Sequence, residues 1–229
     1  MSLIGIIASQ NYPRGITPYQ TNLQAWYDAA DSNSYAGSGS TWYDLTANNN
    51  DLSLQGSYSW ADGIFDWTSS GAYGTKTSPT NMPFGGSTYT FSIWTKYTGS
   101  RNGQGMIGMG ASSNNASNSF RWGNSNSQLI NYWYANDFTQ SITTANSGTW
   151  YMLSCGWDGS NRYIFRNGTQ QGSAAASGKN TTSSTLYVGV TPLDASIQAD
   201  VAVVLIYDSW IGGTEINNNF EAYKARYGY

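Results

Sequence analysis

A chain of 229 residues can form one all-β domain, and its 10% charged residues, 15% aromatic residues and 26 glycines describe a turn-rich β protein with a nearly neutral surface. Ten tryptophans argue against disorder, because each can bury a large apolar area. A net charge of −3 with ten scattered basic residues offers no stripe to neutralise a phosphate backbone, so nucleic acid is excluded as a partner. No stretch reaches the ~18 continuous apolar residues of a membrane span.

Residues 1–20, MSLIGIIASQNYPRGITPYQ, stand apart as an amino-terminal arm, broken by two prolines and two glycines. With no basic residue before Arg14 and an apolar run cut at Gly5, the segment does not read as a secretory signal, so the chain is expected to act without export or to be already processed. Leu3, Ile4, Ile6 and Ile7 are each worth roughly 1.5–3 kcal/mol if fully buried. They fit either an edge strand of the same domain or an arm that docks on another subunit. The second reading makes them assembly residues of a homo-oligomer or larger particle.

Residues 21–229 read as one domain. In WYDAADSNS, Asp28 and Asp31 are candidate calcium ligands, since two carboxylates beside Asn and Ser oxygens supply hard donors; the competing role is to cap turns by accepting from backbone amides. Tyr89 to Tyr97 alternates as a core strand with one partly solvated face, and the glycines of residues 105–110 suit a place where another backbone comes close. Residues 111–119 read as turn. Short strands at 120–123, 128–134 and 140–143 keep a spacing of about ten residues, the mark of a sandwich. Within them Trp122, Trp133 and Tyr134 are candidates to stack on sugar rings, unless they serve as core.

Residues 149–168, TWYMLSCGWDGSNRYIFRNG, read as a β-hairpin turning at Asp158 to Asn161. Leu153, Cys155 and Trp157 share its greasy face, and Cys155, the lone cysteine, reads as a small buried hydrophobe. Residues 172–184 read as a loop. The segment DVAVVLIYD at 200–208 is apolar on both faces and needs cover. A terminal helix capped by Thr214 supplies it, with Ile216, Phe220, Tyr223 and Tyr227 as one apolar stripe and Gly228 at its end.

The order WYDAAD, GSTWYDLTANNNDLSL and GIFDW, followed at the far end by YDSWIGGTEI and NFEAYKARYG, resembles the concanavalin A-like (laminin-G-like) jelly-roll domains of bacteriophage and other viral structural proteins. The family's aromatic-Asp-Gly step is replaced here by Phe65, Asp66 and Trp67. The resemblance spans residues 21–229. It implies an all-β sandwich of two antiparallel sheets with a short C-terminal helix, sometimes with calcium at the rim. It also implies a structural role in a virion, as capsid decoration, fibre or tail-surface protein assembled in the host cytoplasm with other virion proteins, with host surface polysaccharide as a further ligand. A carbohydrate-binding lectin module is the alternative.

Catalysis is not expected. The chain has no histidine, which removes the commonest general base and nucleophile-activating constellations. Glycosidases of this fold carry paired strand carboxylates, whereas the only glutamates here, Glu215 and Glu221, fall on the terminal helix, and no aspartates share such spacing on a strand.

Overall fold

Strands form where β-branched and aromatic residues alternate with small polar ones, and glycine or asparagine in the left-handed region closes most turns between them. In this computed structural model, residues 15–68, 71–98, 102–125 and 127–229 are described. The assembly candidates Leu3, Ile4, Ile6 and Ile7 lie outside the described residues.

The elements are, in order, β1 (Leu23–Asp28), β2 (Thr41–Trp42), β3 (Leu52–Gln55), β4 (Ser59–Ala61), β5 (Ile64–Asp66), β6 (Tyr73–Lys76), β7 (Tyr89–Tyr97), β8 (Gln104–Gly110) and β9 (Ser117–Trp122). There follow β10 (Gln128–Tyr132), β11 (Asp137–Ser141), β12 (Trp150–Trp157), β13 (Asn161–Arg166), β14 (Thr169–Ala175), β15 (Leu186–Val188), β16 (Ala195–Ser196), β17 (Ala199–Tyr207), α1 (Gly212–Tyr223) and a 3-10 turn at Lys224–Tyr227. One sheet runs β14-β13-β12-β7-β17-β5-β4 with β1 also on β17; the other runs β11-β10-β9-β8-β15-β6-β3-β2 with β16 parallel to β8. This is the expected sandwich of two sheets and a C-terminal helix.

The inner faces meet in a core where Trp42, Phe65, Trp67, Phe91, Ile107, Phe120, Trp122 and Leu153 are buried. The outer face of the first sheet has its own apolar layer: Trp94, Met152, Val203 and Leu205 pack beneath Ile216, Phe220, Tyr223 and Tyr227. Trp94 stacks on Phe220 at 5.6 Å and 14°. The terminal helix therefore covers β17 as its two-sided apolarity demands, and it also covers the β7 face that alternation alone left partly solvated. Thr214 does not cap it. The helix begins three residues earlier, at Gly212, its N-cap is Ile211 without a side-chain bond, and Gly228 ends the following turn at φ 85°.

Two further differences follow from local chemistry. Residues 169–175 pair with β13 as a strand rather than belonging to a loop from 172, because small side chains suit an edge strand that leans on little. Residues 16–20, assigned above to the arm, are bound to the domain: the Tyr19 amide donates to Asn219 Oδ1 at 2.8 Å, and Tyr207 Oη donates to the Tyr19 carbonyl at 2.9 Å.

Among the described residues no helix lies on the outer face of the second sheet. Its register sets one row across all eight strands of the ladder, Thr41–Ser53–Thr75–Tyr187–Gly108–Ser119–Tyr132–Asp137. Registered residues share a face, and their chain neighbours Leu54, Leu186, Val188 and Phe120 point into the core. That row is polar and tyrosine-bearing.

Candidate functional site

The outer face of the second sheet ends in a turn that is costly to build. Between β10 and β11 the chain reverses through Tyr134 at φ 61° and Ala135 at φ 54°, both left-handed. Consecutive left-handed residues make the turn whose twist matches a hairpin, but Asn-Gly fills it far more cheaply than Tyr-Ala. A tyrosine held there, at a cost of about 1–2 kcal/mol, is explained by what its side chain does. The ring stands edge-on to Tyr132 at 6.3 Å and 76°, and both rings are partly exposed.

The turn is held from beneath. Arg162, buried between the sheets, donates to the Asn136 carbonyl at 2.6 Å and to Asn136 Oδ1 at 3.2 Å, while its guanidinium lies 4.4 Å from the Trp133 ring centre. Asn136 Nδ2 donates to Asn115 Oδ1 at 2.8 Å, and the Asn115 amide donates to the Tyr134 carbonyl at 3.2 Å. This second layer fixes where Tyr134 sits.

Beside the two tyrosines lie three charged groups. The Arg121 guanidinium rests 4.8 Å from the Tyr132 ring centre, and Arg121 Nη1 is 3.0 Å from Asp194 Oδ1. Asp194 Oδ2 accepts from Thr191 Oγ1 at 2.5 Å, so both its oxygens are occupied. Asp137 is exposed opposite Tyr132 in the register. Partial burial pushes its carboxyl up, and Asp194 adds to this, while Arg121, the Trp133 amide and Arg162 pull it back down. Burial, followed by the charge of Asp137, likewise raises the Tyr132 hydroxyl, which stays protonated as a donor. The arrangement supplies two ring surfaces, an exposed carboxylate acceptor and a guanidinium, the fittings that sugar hydroxyls and pyranose faces require.

Of the aromatic residues singled out in the sequence, only Tyr134 is presented. Trp122 is fully buried against Tyr97 at 5.8 Å, and Trp133 is fully buried, edge-on to Trp157 at 5.2 Å with its indole N–H donating to Tyr89 Oη at 2.9 Å. Neither keeps a ring face for a sugar. Strand parity explains the correction: Leu129, Asn131 and Trp133 point inward, so Tyr132 is the outward neighbour. Tyr132, Arg121, Asp137 and Asp194 were missed. Alternation within QLINYW carries the signal for Tyr132, but nothing local brings Asp194 to Arg121.

Asp28 and Asp31 line a cleft of about 280 Å³ with Ser32, Asn33 and Arg226. The donor set does not fit calcium. Arg226 Nη1 lies 2.7 and 2.8 Å from the two Asp28 oxygens, and Asp28 Oδ1 also accepts from the Ala30 amide at 3.0 Å. Asp31 Oδ1 accepts from the Asn33 amide at 2.8 Å, the turn-capping role. Among the described residues no three metal-ligating side chains come together. The positive charge that calcium would have brought is provided by an arginine.

A family model described as "Concanavalin A-like lectin/glucanases superfamily" matches residues 68–217. No curated protein shows a significant match to the sequence. Among solved structures, the sialidase of Trypanosoma rangeli is similar with a TM-score of 0.69 at 11% identity, over 94% of this chain and 35% of that one. The receptor-binding domain of botulinum neurotoxin C/D mosaic serotype is similar with a TM-score of 0.66 at 14% identity, over 88% of this chain and 51% of that one. A structure titled for the interaction of botulinum neurotoxin type C with two ganglioside molecules gives a TM-score of 0.64 at 14% identity, over 88% of this chain and 51% of that one. The chain thus spans about a third of the sialidase and half of the toxin domain, and at such identities the likeness is one of fold, found in an enzyme and in a receptor-binding domain alike. Because the family model covers more than half of the chain and the two sheets complete the sandwich, the chain belongs to the concanavalin A-like lectin/glucanase superfamily.

Proposed function

We propose that the chain is a non-catalytic carbohydrate-binding module that holds glycan on the outer face of the β9–β11 end of its second sheet. One observation carries this reading: a tyrosine kept in a left-handed turn where glycine or asparagine would be cheaper, set edge-on to a second partly exposed tyrosine. Tyr132 and Tyr134 stack on pyranose faces and Asp137 accepts from hydroxyls, while Arg121, tied to Asp194, backs the Tyr132 ring. The non-catalytic part is supported by chemistry: Asp194 is held by Arg121 and Thr191, which leaves Asp137 without a second free carboxylate, and both glutamates lie on α1, over the other sheet.

The test is a glycan array followed by titration calorimetry on the bound sugars. Tyr132→Ala and Tyr134→Ala should each weaken binding at least about fivefold, on the scale of the about 1–3 kcal/mol lost when an aromatic stacking partner is removed, with the fold retained by circular dichroism. Binding that both variants retain would remove the site, and turnover of a bound glycan would remove the non-catalytic reading.

We further propose that the module is displayed on a virion, as a decoration, fibre or tail-surface protein of a bacteriophage, where Leu3, Ile4, Ile6 and Ile7 join it to other copies or other virion proteins. The support is the order of motifs at both ends of the sequence and the four aliphatic side chains that water disfavours. Deleting residues 2–12 should leave a folded domain that no longer enters particles. Normal incorporation of the truncated chain would refute it.

A further inference from the structure

Resting on the carbohydrate reading, we infer that the Tyr132–Tyr134 platform selects uncharged glycans and discriminates against sialylated, sulfated or uronic ones. The argument is an inventory of charge. Acid groups on a glycan need a cation with free donors, and at this platform the cation is Arg121. Its charge is spent on Asp194 at 3.0 Å, and its face is laid over Tyr132 at 4.8 Å. Asp137 adds an exposed carboxylate on the same row as Tyr132. The buried Arg162 pulls on the Asp137 carboxyl from beneath, so the charge the platform shows a ligand is one exposed carboxylate, with its cations paired or buried, in a chain whose net charge is −3.

No other described cation reaches the ligand side of the platform. Lys96, Lys224 and Arg226 are ion-paired with Asp200, Glu221 and Asp28 at 2.6–2.7 Å. Arg162 and Lys179 are buried and give their N–H groups to backbone carbonyls. Lys76 donates to the Asn49 carbonyl on β6, four strands or about 19 Å across the sheet from β10, and Arg166 donates to the Thr143 carbonyl from β13 of the other sheet. A neutral sugar meets no penalty here. Its hydroxyls donate to Asp137, whereas an acidic group brought within a few ångströms of Asp137 meets a like charge in a medium less polar than water.

The experiment uses immobilised glycans in matched pairs, each neutral member beside the same glycan capped with sialic acid or sulfate, probed with the whole chain and with Tyr134→Ala. We expect neutral members to bind at least about tenfold more tightly at low salt, the scale of a like-charge contact at a protein surface, with the gap narrowing as salt screens it. Asp137→Asn should narrow the gap as well. If capped members bind as well or better and Tyr134→Ala still abolishes binding, the charge inference is overturned while the carbohydrate reading survives. If the whole chain binds no glycan of either kind, the carbohydrate reading falls and takes this inference with it.

Discussion

Arg226 and Asp28, 198 positions apart, meet at the buried foot of β1 with Arg226 Nη1 at 2.7 and 2.8 Å from the two carboxylate oxygens. Both side chains are 3% exposed, so the pair staples the last turn of the chain to the first strand of the domain. Burial pushes the Asp28 carboxyl up, and the guanidinium opposes that push. Removing one partner leaves a buried charge alone, so Arg226→Met should cost about 3–5 kcal/mol in urea unfolding. Asp28→Asn in the Arg226→Met background should add far less than it costs alone. A chelator should leave the melting temperature unchanged. A loss under 1 kcal/mol, or a chelator-sensitive transition, would contradict the assignment.

The strain at Tyr134 and Ala135 gives an opposed pair of effects. Ala135→Gly relieves a left-handed alanine and should stabilise the domain by about 1 kcal/mol. Tyr134→Asn should stabilise it similarly while losing the glycan, since asparagine accepts this conformation but offers no ring. Thermal melts read the first effect and calorimetry the second. A Tyr134→Asn variant that is destabilised by more than about 1 kcal/mol would mean that the ring is needed for packing rather than for ligand.

Much of this architecture was legible in the sequence because its causes are local. Alternation at 89–97 and 150–166 gives β7, β12 and β13 their register, and the two-sided apolarity of 200–208 with the Ile216–Phe220–Tyr223–Tyr227 stripe predicts which helix covers which strand. What was not legible depends on partners far apart in the chain. Asp28 looks like a metal ligand until Arg226 is beside it. Trp122 and Trp133 look like sugar-stacking residues until the first sheet closes over them, through Tyr97, Trp157 and Tyr89. Trp133 and Tyr134 are sequence neighbours with opposite fates, one core and one platform, because Trp133 keeps the inward parity of Leu129 and Asn131 while Tyr134 opens the left-handed turn.

Lys179 is 4% exposed, and its Nζ donates to the carbonyls of Pro83 and Gly85 at 2.9 and 2.8 Å. Burial lowers its pKa from 10.5 to about 7. Between those values the unfolded chain holds a proton that the folded chain has shed, so stability rises with pH from about 7 towards 10. Below 7 both states are protonated and the full penalty remains. Above 10 the trend reverses, because Tyr27, Tyr89 and Tyr223, raised by burial, stay protonated in the fold and ionise once unfolded. Denaturation at pH 7, 8 and 9 should show an upward slope that Lys179→Met flattens. A flat profile in the unaltered chain would mean that the two carbonyls hold the ammonium charged.

Gly108 lies on the outer face between Tyr187 and Ser119, under the loop that carries Asp194. A Cβ there would come 2.7 Å from Thr191 Cβ and 2.9 Å from Ser119 Oγ, too close for either to stay in place. Thr191 in turn holds Asp194, and Asp194 holds Arg121 over Tyr132. Gly108→Ala should therefore act twice. Overpacking should lower stability by about 1–3 kcal/mol, and the displaced loop should loosen Arg121 and weaken glycan binding although residue 108 touches no ligand. Gly86→Ala is the control, because a Cβ at Gly86 meets only the Lys179 carbonyl, at an ordinary 3.5 Å. Calorimetry on both variants decides the matter: equal glycan affinity in the two would show that the 191–194 loop does not position the platform.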